Sequence, residues 1–471
     1  SSPKGPNRPN PVLAIPMVEE WSDSLHLQVL KHLGSPQEVW GYLPYGSLCQ
    51  ACRSVTQLPC LWRELDFTDS PLQQPWRLLR GHPEVTHLIF HGLPIEDDVL
   101  QDLLVHLTQL QSLDLSRCCE LTPQVLSSCP SQLQSLSLEK MDDLRDFDVQ
   151  ELCRRCPNLS CLDLRHCERL EDVSCFIVSS ARWQSLQLDG CQNLDAARLL
   201  QSGDVFSSLE DLSLDAEKLE APILALLPKQ CPRLRSLLLS FAEKLDCEAL
   251  AALASLERLD ALTVKKAQKP PDAAWESFFL KQQQSRAPDA DRDWRILNFC
   301  ECELFCDGAA HTLARVPQVR LVELDLSWCW YLADSGLAAL LNVAPGLQRV
   351  RLVGMKSVSE HGLVPCVRMA NLEELDCQHC NSVSDSFLEF LLRLFAGPLG
   401  SGGDAFPGLV PPRVRHSSEQ LWAKRRWVLR PEIKNYYGYR LEEWSPLKAA
   451  HEVANFAEPL LGPEAGTGFQ P

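Results

Sequence analysis

Apolar residues recur along this chain at a regular spacing: one apolar position, then apolar at +3, +5 and +8. Leu110, Leu113, Leu115 and Cys118 show it, as do Leu159, Leu162, Leu164 and Cys167; Trp183, Leu186, Leu188 and Cys191; and Leu321, Leu324, Leu326 and Cys329. The pattern starts at positions 85, 110, 133, 159, 183, 209, 234, 259, 294, 321, 347 and 372, in steps of 23 to 27 residues with one step of 35. The copies at 209 and 234 are weaker at +8, where Glu217 and Ala242 stand.

Side chains alternate along a strand, so +3 and +5 lie on one face of a short strand. Residue +8 and the apolar residue at +11 (Leu121, Leu144, Leu170, Leu194, Leu332) turn the chain back inward. A short helix follows, as in 336–341, where Leu337, Leu340 and Leu341 form one stripe. Thr122-Pro123 and Ser384-Asp385 carry helix-start signals. One such unit cannot bury its apolar edge alone. Stacked units share a continuous core, with a parallel sheet on the concave side and helices outside.

Cysteine at +8 (Cys118, Cys167, Cys191, Cys302, Cys329, Cys380) gives way to methionine at Met141 and Met355. Methionine replaces a packed thiol but not a zinc thiolate, so packing is the favoured reading. The metal reading rests on Cys153-x-x-Cys156, Cys300-x-Cys302-x-x-x-Cys306 and Cys377-x-x-Cys380. Each cluster shares at least one cysteine with the repeat, and no metal or cofactor site is expected.

Composition narrows the function. Of 471 residues, 45% are hydrophobic and 23% charged, enough for a large core in a single repeat array. A net charge of -17 repels phosphate backbones, so nucleic acid is not an expected partner. No apolar run approaches the roughly 18 residues that span a bilayer, so no membrane association is expected. With 21 cysteines in so long a chain, a reducing compartment fits better than a disulfide scaffold. The expected location is the cytoplasm, with Lys424-Arg425-Arg426 as a weak nuclear-import signal. The chain opens on Ser1 rather than Met, which points to a processed or partial form.

The repeat resembles the cysteine-containing subclass of leucine-rich repeats, over roughly Val85 to Leu394. Repeats of the ribonuclease-inhibitor type are longer and fit less well. The resemblance implies an α/β leucine-rich-repeat solenoid (horseshoe), assigned to 67–396 with about 12 repeats and an insertion at 265–293. Residues 1–18 form a disordered N-terminal segment in this reading. The insertion, with Pro270-Pro271 and Gln282-Gln283-Gln284, is expected to be a tolerated loop with at most a short helix over Trp275 to Leu280. Residues 397–412 read as a Gly/Pro-rich linker and 413–471 as a basic, aromatic tail.

Residues 19–66 read as an all-α segment. Leu25, Val29, Leu30 and Leu33 make a helical stripe, followed by Leu48-Cys49-x-x-Cys52-x-x-Val55 and Pro59-x-Leu61-Trp62-x-x-Leu65. These motifs resemble an F-box, with Trp21-Ser22 in place of the usual Leu-Pro and Cys52 in place of the middle tryptophan. The competing reading is a helical cap in front of a first strand, Trp62 to Phe67.

No Gly-rich phosphate loop with its lysine, H-E-x-x-H or G-x-S-x-G element is present, so the chain is not expected to be an enzyme. Resemblance to F-box proteins with leucine-rich repeats implies the substrate-recognition subunit of a cullin–RING ubiquitin ligase. A Skp-type adaptor, and through it a cullin scaffold, would bind Leu25, Val29, Leu30, Leu33, Leu48, Pro59, Leu61 and Trp62. A target protein would bind surface positions of the C-terminal repeats: Glu323, Asp325, Trp328, Arg349, Arg351, Glu374, Asp376 and His379; the competing reading is that Trp328 and Trp330 pack on neighbouring turns. The alternative is an interaction scaffold with a degenerate F-box and no ligase role.

Overall fold

The computed structural model describes residues 62–68, 76, 79, 82–172, 174–178, 182–201, 206–286, 293–384, 387 and 413–415. The chain divides into two compact units, one of residues 1–143 and 154–159, the other of 144–153 and 160–471.

In the first unit, β1 (Glu64–Asp66), β2 (His87–Ile89), β3 (Ser112–Asp114) and β4 (Ser135–Ser137) pair in sequence order, all parallel. In the second, the order runs β5 (Cys161–Asp163), β6 (Ser185–Gln187), β7 (Asp211–Asp215), β8 (Ser236–Ser240), β9 (Ala261–Val264), β10 (Ile296–Asn298), β11 (Glu323–Asp325), β12 (Arg349–Arg351), β13 (Glu374–Asp376) and β14 (Arg413–Arg415). Each neighbouring pair there is parallel as well. This is the α/β leucine-rich-repeat solenoid. Each strand from β2 to β13 begins two residues after one of the twelve repeat starts, and the residues at +3 and +5 are buried without exception. Equivalent leucines stack in register, Leu297 on Leu324 and Leu162 on Leu186. No helix among the described residues is long and apolar enough to cross a membrane.

Two strands extend the array. Trp62, Leu65 and Phe67 repeat the 0, +3, +5 spacing and are buried, so the sheet starts inside the stretch assigned to 19–66. Strand β14 lies in the tail and pairs with β13, with Val414 in register with Leu375. The weak copy at 209 has its turn shortened by one residue. Ala216, not Glu217, takes the buried +8 place, and Leu219 donates to its carbonyl as Leu121 does to Cys118.

The stretch 265–293 corrects the loop reading. A 14-residue helix, Asp272–Ser285, occupies it. Trp275, Phe278, Phe279 and Gln282 stand at i, i+3, i+4 and i+7 and are all buried. Trp275 packs against Phe299 and Phe305 with centroids 5.0 and 5.9 Å away, and Phe279 packs against Trp294. Gln282 made this stripe look polar, but its Nε2 donates to the Leu256 carbonyl at 2.6 Å. Burial of four aromatic or long side chains is worth several kcal/mol, which makes this helix part of the core.

Successive helices are tied at their N-termini. Asp272 accepts from the backbone N–H groups of Cys306, Gly308 and Ala309 at 2.9, 2.9 and 3.1 Å. Asp307 then takes Ala333 N–H at 2.8 Å, and Asp334 takes Ser359 N–H at 2.6 Å. Each carboxylate satisfies orphan donors of the next repeat's helix. The signal was present in the sequence: an acid stands at +13 of the repeats starting at 259, 294 and 321.

Candidate protein-recognition face

Residues +2 and +4 point opposite to the buried +3, so they form two rows across the open sheet face. Over β11–β13 the rows read Glu323, Arg349, Glu374 and Asp325, Arg351, Asp376 in register. Glu323 receives Arg349 and Arg351 at 2.9 Å each, and Arg351 also reaches Glu374 at 3.7 Å. The arginine side chains keep 37% and 33% of their surface against 16% for Glu323, so the network is approached through its guanidinium groups. Burial works against the charge of Arg351, but Glu323, Glu374 and Asp325 together hold its pKa above the ordinary arginine value.

Asp325 and Asp376 differ from the surface placement given them by their spacing: both are buried. The reason is a turn. Oδ1 of the +4 residue accepts the N–H of +6, from Ser327 at 2.9 Å and from Gln378 at 3.3 Å. Asp114, Asp163 and Asn298 make the same bond to Ser116, Arg165 and Cys300. The column ends strands rather than greeting solvent. Burial pushes the Asp325 carboxyl above the ordinary carboxylate range, against the lowering effect of Ser327 and Arg351.

At +7 the backbone is left-handed, with φ of 58° at Arg117, 59° at His166, 60° at Glu301, 64° at Trp328 and 60° at His379. This conformation aims the +7 N–H at the +6 carbonyl of the next repeat, as from Trp328 to Val353 at 2.7 Å. Glycine takes the place at Gly354, φ 71°, for a second reason: a Cβ there would fall 2.3 Å from Trp328 Cε3. The Trp328 ring therefore lies across Gly354 and stacks toward His379, with centroids 6.2 Å apart and planes 27° apart. His379 is exposed and Trp328 half-buried. Beside them Lys356 Nζ sits 3.3 Å from the Trp330 ring centroid, and Tyr331 is 61% exposed. Trp328 and His379 stand at +7 in the same run of repeats whose +2 and +4 positions carry the Glu323, Arg349, Arg351 and Glu374 network. Trp330 and Lys356 at +9 and Tyr331 at +10 follow them in sequence and are not among the residues assigned from spacing.

The +8 thiols serve the array. Cys118, Cys191, Cys302, Cys329 and Cys380 donate to the +5 carbonyl of the preceding repeat at 3.3, 3.0, 3.2, 3.1 and 2.8 Å. Burial pushes Cys118 and Cys380 up to about 11 and Cys329 well above the ordinary thiol value. Among the described residues no cluster of three or more His, Cys, Asp or Glu is placed to hold a metal.

Of the adaptor residues, Leu25, Val29, Leu30, Leu33, Leu48, Pro59 and Leu61 lie outside the described residues. Trp62 is within them, buried and stacked on His82 at 3.5 Å between centroids, at the first position of the β1 copy of the repeat.

A leucine-rich-repeat model matches residues 321–341, the repeat that carries Glu323 and Trp328. No curated protein sequence matches the chain. Among solved structures, a chain of the Rad7–Elc1 complex of yeast is similar, with TM-score 0.58 and 18% identity over 77% of this chain and 90% of that one. TLR13 with ssRNA13 (TM-score 0.35, 15% identity, 70% and 58% covered) is a more distant match. So is an internalin of Listeria monocytogenes (0.32, 16%, 64% and 76%). The first likeness agrees with the solenoid fold.

Proposed function

We propose that this protein is a target-recognition subunit of a cullin–RING ubiquitin ligase. Its repeats hold a protein target, and the F-box-like segment within 19–66 holds a Skp-type adaptor. The observation that carries the recognition role is the C-terminal patch, where the same repeats present an ion-paired Glu323–Arg349–Arg351 lattice and the Trp328–His379 stack. Partly exposed tryptophan and arginine are the side chains that anchor protein interfaces. The ligase role draws on the F-box resemblance, and the Rad7–Elc1 structure is a complex of two proteins, in keeping with a repeat chain that works alongside a partner. In this role the chain contributes proximity and orientation, not bond chemistry. Its place of work is the cytoplasm.

One observation favours the scaffold reading: Trp62, among the expected adaptor anchors, is buried and stacked on His82. Affinity capture with quantitative mass spectrometry separates the two. Wild type is expected to retain an adaptor, a cullin and a target. A Trp328→Ala/Arg351→Glu chain is expected to keep the first two and lose the third. Target capture without adaptor leaves the scaffold, and unchanged target capture by the variant removes the patch from the account.

A further inference from the structure

The open face of β6–β10 has no role in the reading above. Its β6–β7 end is acidic. Asp189 accepts the Ser213 hydroxyl, Asp211 accepts the Ser185 hydroxyl at 3.2 Å, and Asp215 accepts the Gly190 N–H at 2.9 Å. Among the described residues none of the three is ion-paired with lysine or arginine, whereas Asp260 has Arg235 at 2.8 Å and Glu323 has two arginines. The second carboxylate oxygen of Asp215 is buried with no hydrogen-bond partner. Next to the acids, the same face presents half-buried Leu238 and Thr263, in register with one another, and half-buried Ile296, in register with Ala261. Among the described residues it is a negative edge with no lysine or arginine on it, beside the apolar side chains of Leu238 and Ile296.

The occupant of opposite character is in the same chain. Strand β14 ends at Arg415 on the edge of this unit's sheet. The residues that follow include Trp422, Lys424, Arg425, Arg426, Trp427 and Arg430, with Glu419 and Glu432 the only acids up to Lys434. Strand β14 is seven strands from β7, about 34 Å at roughly 4.8 Å per strand. Residues 424–430 lie 9 to 15 positions past Arg415, a reach of up to about 30–54 Å. We propose that the β6–β10 face is the docking surface of the chain's own basic, tryptophan-bearing segment 416–434, with its cations on Asp211 and Asp215 and its indoles on Leu238 and Ile296. The contact is the same whether the chain serves a ligase or a scaffold, so its failure and that of the ligase reading are distinct results.

Zero-length carbodiimide cross-linking of the full chain, read by mass spectrometry, tests it. Lys424 or Lys434 is expected to link to Asp211 or Asp215, with a yield independent of protein concentration and several-fold lower at high salt. Asp211→Asn/Asp215→Asn is expected to remove these links with an unchanged circular dichroism spectrum. Lys424→Glu/Arg425→Glu/Arg426→Glu leaves the repeats untouched. In that chain, carbodiimide labelling of Asp211 and Asp215 with a small amine is expected to rise several-fold. Links confined to other acids, a yield that climbs with concentration (a second copy on the face), or labelling unaffected by the tail substitutions would each overturn the proposal.

Discussion

Gly354 decides where Trp328 lies, because any Cβ there collides with the indole and φ 71° disfavours an L side chain as well. Gly354→Ala is therefore expected to displace the ring from His379, changing tryptophan fluorescence, costing about 1–2 kcal/mol in urea unfolding, and weakening target capture. Target capture at wild-type strength would separate the Trp328–His379 stack from recognition. Asp325 makes a different point. Its folded-state pKa is raised, so the folded chain binds its proton more tightly than the unfolded chain, and ionising it costs stability as pH rises through the shifted value. Asp325→Asn keeps the turn that Asn298 already makes in the neighbouring repeat. It is expected to be at least as stable as wild type at pH 7, with the advantage shrinking as pH falls through the raised value and gone below about pH 4, where the aspartate is protonated in both states. A variant less stable than wild type at pH 7 contradicts this. The buried place of Asp325 was not legible in the sequence: an aspartate recurring at +4, as Asp114, Asp163, Asp325 and Asp376, reads as a solvated row until the +6 N–H is seen to fold over it.

Elements were legible where one period governed them. Apolar residues at +3 and +5 placed twelve strands because a strand buried on one side has only one way to satisfy that spacing. The helix Asp272–Ser285 was legible only as a short helix over Trp275 to Leu280, because Pro270-Pro271 and the glutamines read as loop, while Pro271 in fact ends an extended approach and Gln282 finds a carbonyl inside the core. Its first residue links it to the next helix through three N–H groups. Asp272→Ala is expected to lose about 1–2 kcal/mol in denaturant unfolding, as when a helix cap is removed, and Asp272→Asn to lose less. Loss of under a few tenths from the alanine variant would show that water replaces the carboxylate. The thiols belong to this scale because each bridges two repeats. Cys329→Ala is expected to cost about 1–2 kcal/mol through lost packing. In the native chain the exposed Cys119 and Cys247 are expected to alkylate well before Cys329 and Cys302. Early alkylation of Cys329 would mean that this turn opens.

For the molecule as a whole, the array follows from length and period, but a function does not. A repeated unit repeats its packing residues, whereas recognition depends on residues that break the repeat, such as Trp328, Trp330 and Tyr331 within one copy. These were partly legible as exposed aromatics next to charge. Their joining to Lys356 and to the Arg349–Glu323–Arg351 lattice was not, because that depends on the left-handed turn and on register. The adaptor half of the proposal rests on the F-box resemblance, and Leu33 is the residue there whose change tests it. Leu33→Asp places a charge on the apolar stripe, and losing one apolar anchor typically costs about 2 kcal/mol or more, some thirtyfold in affinity. The direct measurement is calorimetric titration of the full chain with a purified Skp-type adaptor. Saturable binding by wild type, lost in Leu33→Asp while its circular dichroism and target capture are unchanged, is the predicted result. A folded wild-type chain that binds no adaptor would contradict it and leave the scaffold reading in its place.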